Sequence, residues 1–386
     1  MSAVSSDARL GLQAGAGSAR HLLEAVNRAS EAAGSAWLVH LALAAYFIVA
    51  LAGVSHRDLL LNSPIDLPLL GISVALDRFF LFAPPLFILI HIGMMLQHVV
   101  LTRKVYAFLD VVEREERRMK TASGAAQVHP LRYELSSNFF TQFLAGPPQS
   151  GILTFMQQVI VWVTLVLLAA VVLLYFQIAF LPFHDINLTW AHRIYVLIDL
   201  ALVGIIGTFL PSPLFGFWPS FVYGWRTYPA FMTITTGFFG CLGLFSFAVA
   251  TVPGEWLDRT LATIGPAQTV RAPSGEPADS QRVFLPTAYM FEGAVDPATG
   301  RSASLFQRNL VVMDQDLVND RQIGPGDISF SLRYRDLRYA RLDRSDLKQV
   351  DLVGADLTGA SLKGTQLDAA DPSAQDSRPE APNRLR

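Results

Sequence analysis

Apolar residues along this chain follow two different rules. Between Ala36 and Val252 they gather in five long blocks: Ala36–Val54, Phe79–Leu101, Ile152–Leu181, Ile194–Leu214 and Ala230–Val252. Near the C-terminus they thin to single leucines at a fixed step of five: Leu332, Leu337, Leu342, Leu347, Leu352, Leu357, Leu362 and Leu367. About twenty apolar residues in helical form cover the hydrocarbon core of a bilayer, so the first rule predicts about five transmembrane helices. The second rule fits neither a helix nor a flat strand, because neither brings every fifth side chain to one face. A coil that turns a corner every five residues does.

In such a coil the residue two before each leucine also points inward and has to be small. It is Ala340, Ser345, Ala355, Ala360 and Thr365 in five repeats, but Phe330, Arg335 and Val350 in three others. The first side is therefore expected to be irregular, and the pattern sharpens toward ADLTGASLKGTQL at 355–367. This stretch resembles the pentapeptide-repeat family, with its A-(D/N)-L-x-x motif. The resemblance implies a right-handed quadrilateral β-helix of four five-residue sides per coil. Eight repeats then make about two coils, roughly 10 Å tall at a strand spacing of about 4.8 Å.

The rest of the chain is organised around these two features. Residues 1–35 are read as a disordered Ser/Ala/Gly-rich start followed by an amphipathic stretch, with Leu22, Leu23 and Val26 at helical spacing. Residues 36–252 are the transmembrane all-α helical bundle. Within it, 59–76 is apolar but broken by Pro64, Pro68 and Gly71, which predicts an extended hairpin at the membrane surface. The second block contains Pro84 and Pro85, so its helix is expected to start late, kink or begin with a re-entrant piece. Residues 253–281 read as a linker, 282–330 as an irregular cap, 331–368 as the repeat β-helix and 369–386 as a disordered tail.

Charge sets the orientation. Lys and Arg collect in the N-terminal stretch (Arg9, Arg20, Arg28) and, seven strong, between the second and third blocks; the loops after the third and fourth hold one each. The rule that cytoplasmic loops carry the positive charge then places the N-terminus inside and, after five spans, the C-terminal domain outside. The basic loop, TRKVYAFLDVVEREERRMK, reads as a helix continuing into water, with Glu113/Arg117 and Glu116/Lys120 as i,i+4 pairs. Overall only 16% of residues are charged and the net charge is −2, so no global field favours nucleic acid. The array itself has seven Lys/Arg against five Asp, which excludes the acidic DNA mimicry of some pentapeptide-repeat proteins. The single Cys241 makes no intrachain disulfide.

Candidate chemistry is sparse. Asp199 lies deep in the fourth block, and His91 and His98 share one face of the second. Ionisable groups at that depth are costly and mark ion or proton handling or a hydrogen bond between helices. Asp199 paired with His91 is therefore the candidate intramembrane site. His184, Asp185 and His192 flank a short loop and are a weak metal-ligand set, outweighed by the reading as interfacial polar residues. Gly237, Gly240 and Gly243 put a smooth stripe on the fifth block, for close helix packing or a homo-oligomer. No Walker loop, G-x-S-x-G, HExxH or CxxC occurs, so no catalytic residue, metal or cofactor is expected and the chain is not read as an enzyme.

LSSNFFTQFLAGP (135–147), FLPFHD (180–185), TWAHRIYVLIDL (189–200) and VPGEW (252–256) resemble a family of bacterial multi-pass membrane proteins that end in pentapeptide repeats. That resemblance implies the bacterial inner membrane and supplies no reaction. The expected function is a membrane-anchored scaffold or interaction protein presenting a short solenoid to a protein partner of unknown identity. The alternative is an ion or proton channel or transporter using Asp199, His91 and His98.

Overall fold

The computed structural model describes residues 3–67, 71–123, 128–148, 150–210, 212, 216–257, 259–260, 267–268, 281–282, 296, 304, 306–318 and 328–367. In chain order the elements are α1 (Ala3–Ala52), α2 (His56–Leu61), β1 (Ile65–Leu67), β2 (Ile72–Val74), α3 (Leu76–Ser123), α4 (Phe139–Ala145), α5 (Gly151–Trp162), α6 (Leu168–Phe180), α7 (Ile186–Gly207), α8 (Phe217–Thr227) and α9 (Pro229–Val249). A π-helical turn, Val163–Leu167, joins α5 to α6. Two-residue strands β3 (Ala267–Gln268) and β4 (Gln281–Arg282) pair antiparallel. The remainder of the expected linker, most of the expected cap and the 369–386 tail lie outside the described residues.

Among the described residues, five helical stretches are long and apolar enough to cross a membrane: Ala19–Ala52, Leu76–Thr121, Gly151–Phe183, Ile186–Gly207 and Pro229–Val249. Two of them depart from the pattern in the sequence. Helix α1 begins at Ala3, inside the stretch that composition assigned to disorder. Helix α3 starts at Leu76 and runs unbroken through Pro84 and Pro85. Proline at 84 removes the amide that would bond the carbonyl of Phe80, and His192 Nε2–H donates to that carbonyl at 2.8 Å instead. A rescued carbonyl lets the helix continue. The extended hairpin forms as expected, with Ile65 opposite Val74 and Leu67 opposite Ile72. Leu59–Leu61 belong instead to α2, which opens on a capping box between Ser55 and Asp58.

The chain folds as two compact units. The first comprises Met1–Val49, Pro84–Leu173 and Tyr195–Gly243; the second comprises Ala50–Ala83, Leu174–Ile194 and Leu244–Arg386. In the first unit, Leu23, Val26, Ala29 and Ala33 of α1 share a core with Met94, Val105, Phe108 and Val112 of α3 and with Leu135 and Phe140. Polar contacts lock the loop before α4 onto α1: the Ser136 amide donates to Asn27 Oδ1 at 2.8 Å and the Ser30 and Thr141 hydroxyls meet at 2.8 Å. Arg117 pairs with Glu113 at 3.7 Å, as the spacing predicted. Glu116 turns from Lys120 to the loop, where it takes Arg132 Nε at 2.9 Å and the His129 amide at 2.9 Å.

In the second unit the five-residue register becomes a ladder. Parallel bridges join Ser331 to Asp351, Asp336 to Asp356, Arg341 to Ser361 and Asp346 to Gln366, each twenty residues apart. The local cause is legible. Asp336, Asp346, Asp351 and Asp356 each accept from the amide two residues on, an Asx turn at four of the corners. At the corners Tyr334, Tyr339, Arg344, Gln349, Gly354, Gly359 and Gly364 take positive φ, again every five residues. Leu332, Leu337, Leu342 and Leu347 are fully buried, Leu352, Leu357 and Leu362 half-buried, and Leu367 is 50% exposed.

The ladder also reaches back into the expected cap. Val311 bridges Arg341 and Asp316 bridges Asp346, thirty residues apart rather than twenty. Val312 and Leu317 thus take leucine positions beside Leu342 and Leu347, with ten extra residues intervening.

Candidate functional site

The first unit holds the buried polar cluster. His91 of α3 and Asp199 of α7 are both buried, with Nδ1 and Oδ1 2.7 Å apart. His91 Nε2–H donates to the carbonyl of Leu165 at 2.8 Å. That carbonyl lies in the π-helical turn, where the i→i−4 ladder is interrupted, so the turn and the histidine satisfy each other. With the Nε2 proton given to a carbonyl, one proton remains between Nδ1 and Asp199. The pair is neutral in sum, as a low-dielectric site requires. His98 does not join it. Its Nδ1–H donates to Met94 O at 2.9 Å within α3, and its ring stands edge-on to Phe140 at 5.0 Å.

The cluster includes a residue the sequence reading passed over. His40 of α1 is buried, stacked on His91 at 4.9 Å and on Phe87 at 5.1 Å, and among the described residues neither ring nitrogen has a hydrogen-bond partner. The rule that flagged His91, an ionisable group inside an apolar block, applies equally to His40 and was the available signal.

In the second unit the repeats are seated on the loops that end the helices. Arg335, the side chain too large for its inward position, lies over the ring of Phe183 at 3.9 Å and donates to Leu59 O at 3.2 Å. Burial pulls its guanidinium down to about 10, against the pull of Asp185 and Asp336. Asp336 is held well below the usual carboxylate range: burial pushes it up, but the hydrogen bonds from Arg338 and the nearby His184 ring, 3.5 Å away, outweigh that. His184 Nε2–H donates to Arg308 O at 3.1 Å, and the amide of Val311 donates to His56 Nδ1 at 3.1 Å. Burial pushes His56 down to about 4, which keeps that ring nitrogen an acceptor. One of the three repeats that break the small-residue rule is thus the one that holds Phe183 and Leu59.

A second tie joins two of the segments noted in the sequence. Arg193 of α7 is fully buried and donates to both oxygens of Glu255 at 2.7 and 2.9 Å and to Ala250 O at 2.6 Å, with the Trp190 ring 4.6 Å away. A bidentate pair sealed this way fixes the path of the chain leaving α9.

The three residues considered as metal ligands are otherwise engaged. Asp185 Oδ1 accepts from the amides of Asn187 and Leu188 at the start of α7, His192 serves Phe80 O, and His184 serves Arg308 O. Of the glycine stripe, Gly243 faces Leu197, whereas Gly237 and Gly240 have nothing near the position of a side chain.

Comparison with known proteins supports the C-terminal part. The pentapeptide-repeat family matches residues 336–371, in eight copies. No curated protein and no solved structure matches the chain.

Proposed function

We propose that the chain is a membrane-anchored interaction protein. Its five apolar helices hold it in a bilayer, bacterial and inner by resemblance, with the N-terminus cytoplasmic and the C-terminal domain on the opposite side. Its repeats, winding as a right-handed four-sided β-helix, present a rigid face to a protein partner. The observation that carries the reading is the ladder seated by Arg335 on Phe183 and Leu59, because a surface held still costs less entropy to bind than one on a tether. The outer face of the repeats offers Tyr334 and Val353, both exposed.

The test is site-specific photo-crosslinking in native membranes, with the reactive group at Val353 and, as control, at Ile234 on α9. One discrete adduct from Val353 and none shared with Ile234 is expected. Absence of any Val353 adduct overturns the reading. A reporter fused after Arg386 reads the side of the membrane. The second reading, an ion or proton path through Asp199, His91 and His98, draws support from the unpartnered nitrogens of buried His40. The closed bonding of His91 counts against it, and liposome flux unchanged by Asp199→Asn would remove it.

A further inference from the structure

In the first unit α1, α3, the loop before α4 and the turn after α5 enclose an open cavity of about 390 Å³. The surrounding helices change character at its level. In α1 the polar stretch ends at Ser35 and the apolar block begins at Ala36; in α3 the apolar block ends at Leu101, three residues past His98, which lines the cavity. Given the membrane reading, such a cavity straddles the depth where headgroups give way to acyl chains.

Its lining has a matching polarity. Glu31 is the one Asp, Glu, Lys or Arg among the lining residues. Trp37 is held in place by donating Nε1–H to Thr164 Oγ1 at 3.1 Å, and Phe139 stands edge-on to it at 6.3 Å. Leu38 and Ile160 line the same cavity and are exposed. An acid and two aromatic rings lining one cavity favour a cation, because the ring faces carry negative charge. Exposed aliphatic side chains below the polar boundary favour a hydrocarbon tail. An anionic head is disfavoured by Glu31, although Arg20 and Arg28 lie on the same helix.

We propose that this cavity binds an ammonium-bearing amphiphile, with the head at Glu31 flanked by Trp37 and Phe139 and the tail along Leu38 and Ile160. An aminophospholipid and a free long-chain amine share that chemistry. The inference needs the membrane location but not the protein partner of the repeats.

The experiment is native mass spectrometry of the full chain released from nanodiscs, with phosphatidylethanolamine, phosphatidylglycerol and dodecylammonium as probes. Wild type should retain phosphatidylethanolamine over phosphatidylglycerol by about fivefold, the size of a partly exposed ion pair plus a cation–π contact. Glu31→Gln should erase the preference, and Ser35→Phe, which fills the cavity from an exposed position, should abolish retention. Dodecylammonium should displace the lipid from wild type, a readout that needs no variant to fold. Dodecylammonium binding without phosphatidylethanolamine retention makes the free amine the ligand. Equal, non-zero retention of both lipids by wild type, failure to bind dodecylammonium, or a preference undiminished in both variants overturns the proposal. A chain that stays dissolved without detergent would instead sink the membrane reading itself.

Discussion

Gly354 and Gly364 sit at equivalent corners of the array, with φ of +71° and +70°. They differ in what lies over them. A β-carbon on Gly354 would come within 2.5 Å of the Tyr334 ring, whereas one on Gly364 would meet only the flexible Cγ of Arg344 at 3.3 Å. Alanine at either site pays about 1–2 kcal/mol for the left-handed backbone, of which about 0.5 is returned because the unfolded chain loses freedom. Only Gly354→Ala must also push a ring aside, which adds about 1 kcal/mol at the low end of overpacking costs, since Tyr334 is exposed and can swing away. Gly354→Ala should therefore destabilise the array by about 1.5–2.5 kcal/mol and Gly364→Ala by about 1. The assay is amide hydrogen exchange across residues 331–357 of the full chain in nanodiscs, where a 1.4 kcal/mol difference is about tenfold in rate. The double variant Tyr334→Ala/Gly354→Ala should fall back to the Gly364→Ala level. Equal acceleration by the two single variants, or no rescue in the double, would refute the stacking of residue n on residue n + 20.

Other expectations follow from the same geometry. Leu342→Ala empties a fully buried position and should cost about 2–5 kcal/mol, while Leu367→Ala, at a half-exposed one, should cost under about 1; urea midpoints of array exchange compare them. Asp199→Ala strands His91 in the apolar interior and should lower stability by about 3–5 kcal/mol, with Asp199→Asn milder because it keeps a hydrogen-bond partner; thermal melts in detergent give the order. His56 has a folded pKa near 4 against 6.5 unfolded, so the unfolded form binds the extra proton between those values. Its contribution is complete above pH 6.5 and is lost as the pH falls toward 4, and the protection of the Val311 amide, its exchange relative to an unstructured peptide at the same pH, should fall over that window in wild type but not in His56→Gln.

Much of the array was legible from its leucines because its order is local. Each corner is made within one five-residue repeat, in four of them by an Asx turn between an aspartate and the amide two residues on, so a period of five reports the corners directly. The apolar blocks were legible for a similar reason, since length and hydropathy alone decide whether a helix can cover a bilayer. Val312 and Leu317 escaped because ten extra residues separate them from the register they rejoin. The effect of Pro84 could not be judged either, because the donor that rescues Phe80 is His192, more than a hundred residues away.

The residue pattern by itself determined the two architectures and their order along the chain, since both rest on periodicity within one segment. Which side chains meet was decided only in three dimensions. Arg335 looked like a flaw in the repeat until Phe183 and Leu59 came beneath it, and His40, passed over in the sequence, gained a place in the cluster only by lying on His91. The physical reason is that a hydrogen bond or a ring contact needs its two partners within a few ångströms, and no spacing in the chain encodes which distant segment supplies the second.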